Sequence, residues 1–173
     1  MPRPIRYQSR YACPAADLFA TLVSREFLEA RLDRIGGNNA ALLELASDAE
    51  TAKYTLRQGV NREYLPSPIQ KILRGDLVIE RSETWRLVTA GRYEGAVTAK
   101  VKDAPGNIGG ALALTDLGDP GSAGSQLSID GQAKVDVPLI GGKIEAAIAE
   151  QVVKLMEREA RFTAEWLARD PSH

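Results

Sequence analysis

From Pro138 to Arg169 apolar residues recur three or four positions apart: Ile140, Ile144, Ile148, Val152, Leu155, Met156, Phe162 and Trp166. That spacing puts them on one face of a helix. At about 1.5 Å of rise per residue the helix would run about 45 Å. Such a helix needs an apolar surface of similar length to lie on. Nearly everything between residues 40 and 137 alternates apolar and polar positions, the period of strands with one dry side. Strands followed by one long helix predict a helix lying in the palm of a sheet, with space between them for an apolar ligand.

The rest of the chain fits around that pair. Ile5 to Ala12 alternates and reads as a first strand. Pro14 suits the first turn of a helix, where its missing N–H costs nothing, and Leu18, Phe19, Leu22 and Val23 supply the stripe. A second short helix is expected over 25–35, ended by Gly36-Gly37-Asn38-Asn39. Strands are expected over 41–46, 51–60, 77–88, 93–101, 111–117 and 126–137, with a proline-broken connector over 61–75, in which Ile69 to Leu73 would make one or two helical turns, and a turn-rich loop over 103–110. Nearly every link between strands is short enough for a hairpin, which predicts antiparallel pairing. The expected fold is α+β: a strongly curved antiparallel sheet of about seven strands wrapped around the terminal helix, with two short helices after the first strand. No repeat and no internal boundary interrupts the sequence, so residues 1–173 are read as one domain.

Composition limits what the chain can do. The formal net charge is −1, so no strong field favours nucleic acid or an anionic membrane as a partner. No apolar run approaches the length of a membrane span, and the N-terminus lacks the apolar core of a signal peptide. With Cys13 as the only cysteine no intrachain disulfide can form, which fits a cytoplasmic location. The single histidine, His173, is the last residue and cannot serve a buried triad; cysteine–histidine zinc sites fail on count. The glycine-rich segments lack phosphate-binding and dinucleotide-binding spacings. Neither a metal nor a cofactor is expected.

The chain resembles the START-like (SRPBCC) helix-grip superfamily, which includes lipid-transfer domains, aromatic polyketide cyclases and pathogenesis-related allergens. Three segments carry the resemblance: the opening strand running into Pro14-Ala15-Ala16-Asp17-Leu18-Phe19-Ala20, Glu83-Thr84-Trp85 in the fourth strand, and residues 135–145 leading into the terminal helix. These details look most like an uncharacterised actinobacterial branch. The resemblance implies a helix-grip fold; it leaves carriers, enzymes and chaperone regulators all open.

Several positions are candidates for a site. In the fourth strand Leu77, Ile79, Arg81, Glu83, Trp85 and Leu87 share one face, so Arg81 and Glu83 interrupt what should be the dry side. An unpaired buried charge costs several kcal/mol, at roughly 3–5 when a partner is missing. The two residues therefore pair inside a cavity and orient a ligand, or are turned to water by a bulge, or form a salt bridge at the rim of the sheet. Trp85, Tyr54 and Tyr93 are candidate aromatic walls or ordinary core. Glu159 falls within the apolar stripe of the terminal helix, where it would act as a general acid or a hydrogen-bond acceptor at a cavity mouth, or stand solvated at the edge of the stripe. Met156 would be an adaptable filler. Val97, Ile129, Ile148 and Val152 complete the expected ligand-binding set, and the small residues Gly95, Ala99, Gly131 and Ala133 are expected to leave room.

The leading reading is binding or transport of a hydrophobic small molecule, a lipid, isoprenoid or polyketide-like compound, by a monomer or homodimer. One alternative is a cyclase or dehydratase using Glu83 with Tyr93 or Arg81 in the same cavity. Another is a protein-interaction module with a filled core.

Overall fold

The structure is a computed structural model and describes residues 2–169; His173 lies outside the described residues. In chain order the elements are β1 (Arg3–Tyr11), α1 (Ala15–Leu22), α2 (Arg25–Ile35), β2 (Ala41–Ser47), β3 (Thr51–Val60), α3 (Ser67–Gln70), β4 (Leu77–Thr89), β5 (Arg92–Val101), β6 (Gly106–Asp116), β7 (Ser125–Val135) and α4 (Gly141–Arg169). Local chemistry sets several boundaries. Ser24 accepts from the Phe27 N–H at the start of α2. The Asp116 carboxylate accepts from the Ala15 N–H at 2.7 Å and from the Gly121 N–H, joining the start of α1 to the β6–β7 turn. The β4–β5 turn closes through Gly91 at φ 75°, a conformation glycine adopts without a steric penalty.

The strands pair antiparallel throughout, in the order β1-β7-β6-β5-β4-β3-β2. β1 and β2 are thus opposite edges, and α1 and α2 carry the chain from one to the other. β6 begins at Gly106, inside the segment 103–110 expected to be loop. A Cβ built on Gly110 would lie 2.9 Å from the Gly131 Cα, so the glycines that read as a loop let β6 and β7 approach closely.

The expectation of a strongly curved sheet wrapped around the terminal helix is corrected. The sheet is open, with two free edges. α4 packs closely on β1 and β7, along one margin, while α2 covers β2 at the other. Strong curvature is built with bulges or glycine kinks. Among the described residues the ladder shifts register only at Leu42/Glu44, in an edge strand, and at Leu87/Thr89, at the end of β4; the pairings from β5 to β7 and β1 are unbroken. Alternation and hairpin spacing, the signals visible in sequence, specify pairing and say nothing of curvature.

The core divides along α4. One group gathers α1, α2 and the central strands against Met156, Ala160, Phe162 and Trp166. A second gathers Leu65, Ile69, Leu73 and Val135 against Ile144 and Ile148. A third seats Ala149 and Val152 on Ile5 and Ala133. Among the described residues no helix is long and apolar enough to cross a membrane.

Candidate functional site

The β4 alternation turns Arg81, Glu83 and Trp85 inward, and all three are buried. Register places Tyr54 of β3 opposite Glu83 and Leu56 opposite Arg81. The Tyr54 hydroxyl donates to Glu83 Oε2 at 2.6 Å. Arg81 donates to the same oxygen from Nε at 3.1 Å, with its Nη2 at 2.9 Å. Its Nη1 donates to Glu159 Oε1 of α4 at 2.7 Å. Arg31 of α2 adds a second cation, its Nε 3.8 Å from the same Glu159 oxygen and its guanidinium carbon 5.6 Å from the Phe27 ring centre. Gln58 also bonds the Glu159 side chain. Two guanidinium groups thus face two carboxylates, and the cluster carries no net charge.

Burial pushes the Glu159 carboxyl upward. The Arg31 and Arg81 charges, with hydrogen bonds from Arg81 and Gln58, overcome that and hold it below the usual carboxylate range. Burial opposes the charge of Arg81, but Glu159 and Glu83 more than restore it, so the guanidinium stays ionised. Burial, with the Glu83 charge beside it, pushes the Tyr54 phenol far above its ordinary value. Tyr54 therefore stays a neutral donor. The cluster joins β3, β4, α2 and the C-terminal half of α4.

Beside it lies a cavity of about 50 Å³. A water molecule's share of liquid volume is about 30 Å³, so this space suits one or two waters and no lipid. Of the candidates, Tyr54, Arg81, Glu83, Trp85, Val97, Ile129, Met156 and Glu159 line it. Trp85 Nε1 and Arg31 Nε and Nη2 are buried there without a hydrogen-bond acceptor. Tyr93 is elsewhere, stacked on Phe19 with ring centres 4.3 Å apart. The tyrosine that meets Glu83 is Tyr54. The small residues do not open the space expected of them: a Cβ on Gly95 would lie 2.9 Å from the Trp85 ring, and one on Gly131 would lie 2.4 Å from the Gly109 carbonyl oxygen. Neighbours already occupy those positions.

A second cavity, about 490 Å³, opens between the N-terminal half of α4 and strands β3 to β7, under α3 and the connectors around it. Its wall is aliphatic: Leu65, Ile69 and Leu73 from the α3 region, Ile79 and Val101 from the sheet, and Ile148, Val152 and Leu155 from α4. α4 leans on β1 and β7, so the gap between its other flank and the central strands is left open. At the mouth stand Arg34, Lys154, Arg158 and Tyr64, the last 72% exposed, and Asn38 donates to Asn61 beside them. Gln58 touches this cavity and also bonds Glu159 of the polar cluster, so it stands between the two regions.

Sequence reasoning thus brought together eight residues around the polar cluster and two, Ile148 and Val152, in the larger cavity. It missed Arg31, Gln58 and the whole α3 wall. Arg31 had a readable signal: it sits among Phe27, Leu28 and Leu32 on the buried stripe of α2. Gln58 likewise shares the inward face of β3 with Tyr54 and Leu56. Helical turns were readable over Ile69 to Leu73, close to α3 at Ser67–Gln70, but so short a segment shows no periodicity from which its cavity-facing side could be read.

The crystal structure of TTHA0849 from Thermus thermophilus is similar with a TM-score of 0.56 at 11% identity, over 96% of this chain and 99% of that one. Human STARD10 is similar with a TM-score of 0.55 at 13% identity, over 98% of this chain and 66% of that one. These likenesses establish the helix-grip fold that the sequence resemblance implied, and nothing about ligands. The uncharacterized protein Rv0481c of Mycobacterium tuberculosis is 29% identical over 98% of this chain and 99% of its own length. A family model described as "Protein of unknown function (DUF2505)" matches residues 6–167, and the chain therefore belongs to that family.

Proposed function

We propose that this protein binds a hydrophobic small molecule in the cavity between α3, the central strands and the N-terminal half of α4. The observation that carries this reading is the cavity itself: about 490 Å³ with an aliphatic wall, within the range of about 300–1,000 Å³ typical of ligand pockets. Burying apolar ligand surface there would gain about 25 cal/mol per Å² before association costs. The polar cluster supports this reading by fixing α4 at its far end, and its residues stand apart from the ligand.

The cyclase or dehydratase reading requires Glu83 free to exchange a proton with a substrate. Glu83 instead holds Tyr54 and Arg81, and the adjoining space admits no substrate-sized molecule. The interaction-module reading requires a filled interior, which the larger cavity does not offer.

The test is fluorescence titration of the purified protein with Nile red, a neutral apolar dye. Saturable binding by the wild type is expected, together with a loss of affinity of about tenfold or more in Leu155→Trp, whose indole would occupy the cavity. Absence of saturable binding, or equal binding by both proteins, would remove the basis for the assignment.

A further inference from the structure

The charges at the mouth of the larger cavity are of one sign. Arg34, Lys154 and Arg158 line it, and among the described residues no aspartate or glutamate does. For a chain of net charge −1 this local excess is not a matter of composition. On α4 the residues Gln151, Lys154, Leu155 and Arg158 follow at helical spacing, so one stripe of the helix presents an apolar group flanked by donors to the same opening. Arg34 and Lys154 each have a carboxylate, Glu165 at 3.8 Å and Glu150 at 3.1 Å, in pairs whose side chains are about half exposed. Such pairs are weak and exchange readily. Arg158 has no carboxylate partner among the described residues.

The small cavity beside the polar cluster offers an anion no comparable place. Around the small cavity Arg31 and Arg81 are balanced by Glu83 and Glu159, and an incoming negative charge would meet those carboxylates. An elongated ligand in the larger cavity would therefore keep its charged end at the mouth and its hydrocarbon inside. Resting on the reading above, we infer that the ligand is a single-chain amphipathic anion, its aliphatic tail against Ile79, Ile148 and Leu155 and its carboxylate at Arg158, Lys154 and Arg34. A carboxylate suits this site because Arg158 can donate through two parallel N–H groups while Lys154 contributes a point charge.

The experiment is displacement of Nile red from the full chain by three ligands of equal tail length: decanoate, decanol and decylamine. Decanoate is expected to displace at about tenfold lower concentration than decanol, with decylamine weakest, and added salt should narrow the gap. In the Lys154→Glu/Arg158→Glu variant the order should invert; the ratio between ligands is the readout, so a general loss of affinity does not mimic it. Equal displacement by decanoate and decanol, with Nile red still binding, would overturn the anionic assignment and leave the cavity reading standing. Failure of Nile red to bind at all would overturn both.

Discussion

The two halves of α4 face the same sheet and do opposite things. From Met156 to Trp166 the interface encloses only about 50 Å³: aromatic rings pack beside a set of buried charges, two guanidinium groups facing two carboxylates. From Ile148 to Arg158 the helix borders about 490 Å³ of mainly aliphatic space. Buried ion pairs are directional and intolerant of missing partners, whereas an apolar wall tolerates rearrangement. The contrast assigns anchoring to the polar end and accommodation to the apolar end. Charged residues that look like a catalytic set from their alternation in β4 are, in this molecule, the means by which one end of α4 is held, while its other half seats Ala149 and Val152 on Ile5 and Ala133 and leaves its opposite flank open to the cavity.

The sharpest way to break this contrast is to remove one partner at the anchored end. Glu159→Ala leaves Arg81 and Arg31 facing no carboxylate from α4, and a loss of about 3–5 kcal/mol in denaturant unfolding is expected. Leu155→Ala, at the open end, should cost only about 1 kcal/mol, because its side chain already borders a cavity. Similar losses at both sites would erase the distinction.

Titration offers a second test. The Glu159 carboxyl is held below its ordinary range in the fold, so its stabilisation is fully present above about pH 4.3 and is lost as pH falls through the lower folded value. The Tyr54 phenol is raised, so its stabilisation is present below about pH 10 and is lost as pH rises toward the folded value. Stability measured against pH should be flat between these limits with respect to both groups. Glu159→Gln should flatten the acid side, and an unchanged acid limb would count against the anchoring role. Nile red affinity, governed at the other end, should stay constant from about pH 5 to pH 9.

The smallest expected effect concerns Trp85, whose indole N–H is buried without an acceptor. Trp85→Phe removes that unpaired donor while keeping an aromatic ring, and should change stability by no more than about 1–2 kcal/mol with no effect on dye affinity. An effect on dye affinity comparable with that of Leu155→Trp would place the ligand beside the polar cluster.

What the sequence made legible follows from periodicity. The stripe from Ile144 to Trp166 specified α4, and the alternation in β4 put Arg81 and Glu83 on the strand's apolar face but left open whether they turn inward, to water or to the rim; both are buried. Where periodicity is silent the reading strayed. Gly106 to Gly110 has too few side chains to show alternation, so the start of β6 read as loop. Sheet curvature and the lean of α4 toward β1 and β7 depend on packing between distant elements and leave no local mark. The ligand space was sought at Gly95 and Gly131, but a small residue in a sheet also lets its neighbour pack closer, as Trp85 does over Gly95. The larger cavity depends on α3, a short helix that follows Pro66 and contains Pro68, where no pattern announces a wall.

The most direct test is methyl NMR on the full chain titrated with Nile red. The account predicts that the largest shifts fall on Ile72, Ile79, Ile148 and Leu155, which line the larger cavity, while Leu22, Leu112 and Met156 around the small one stay in place. Largest shifts at Leu22, Leu112 and Met156, or none at either set, would contradict it.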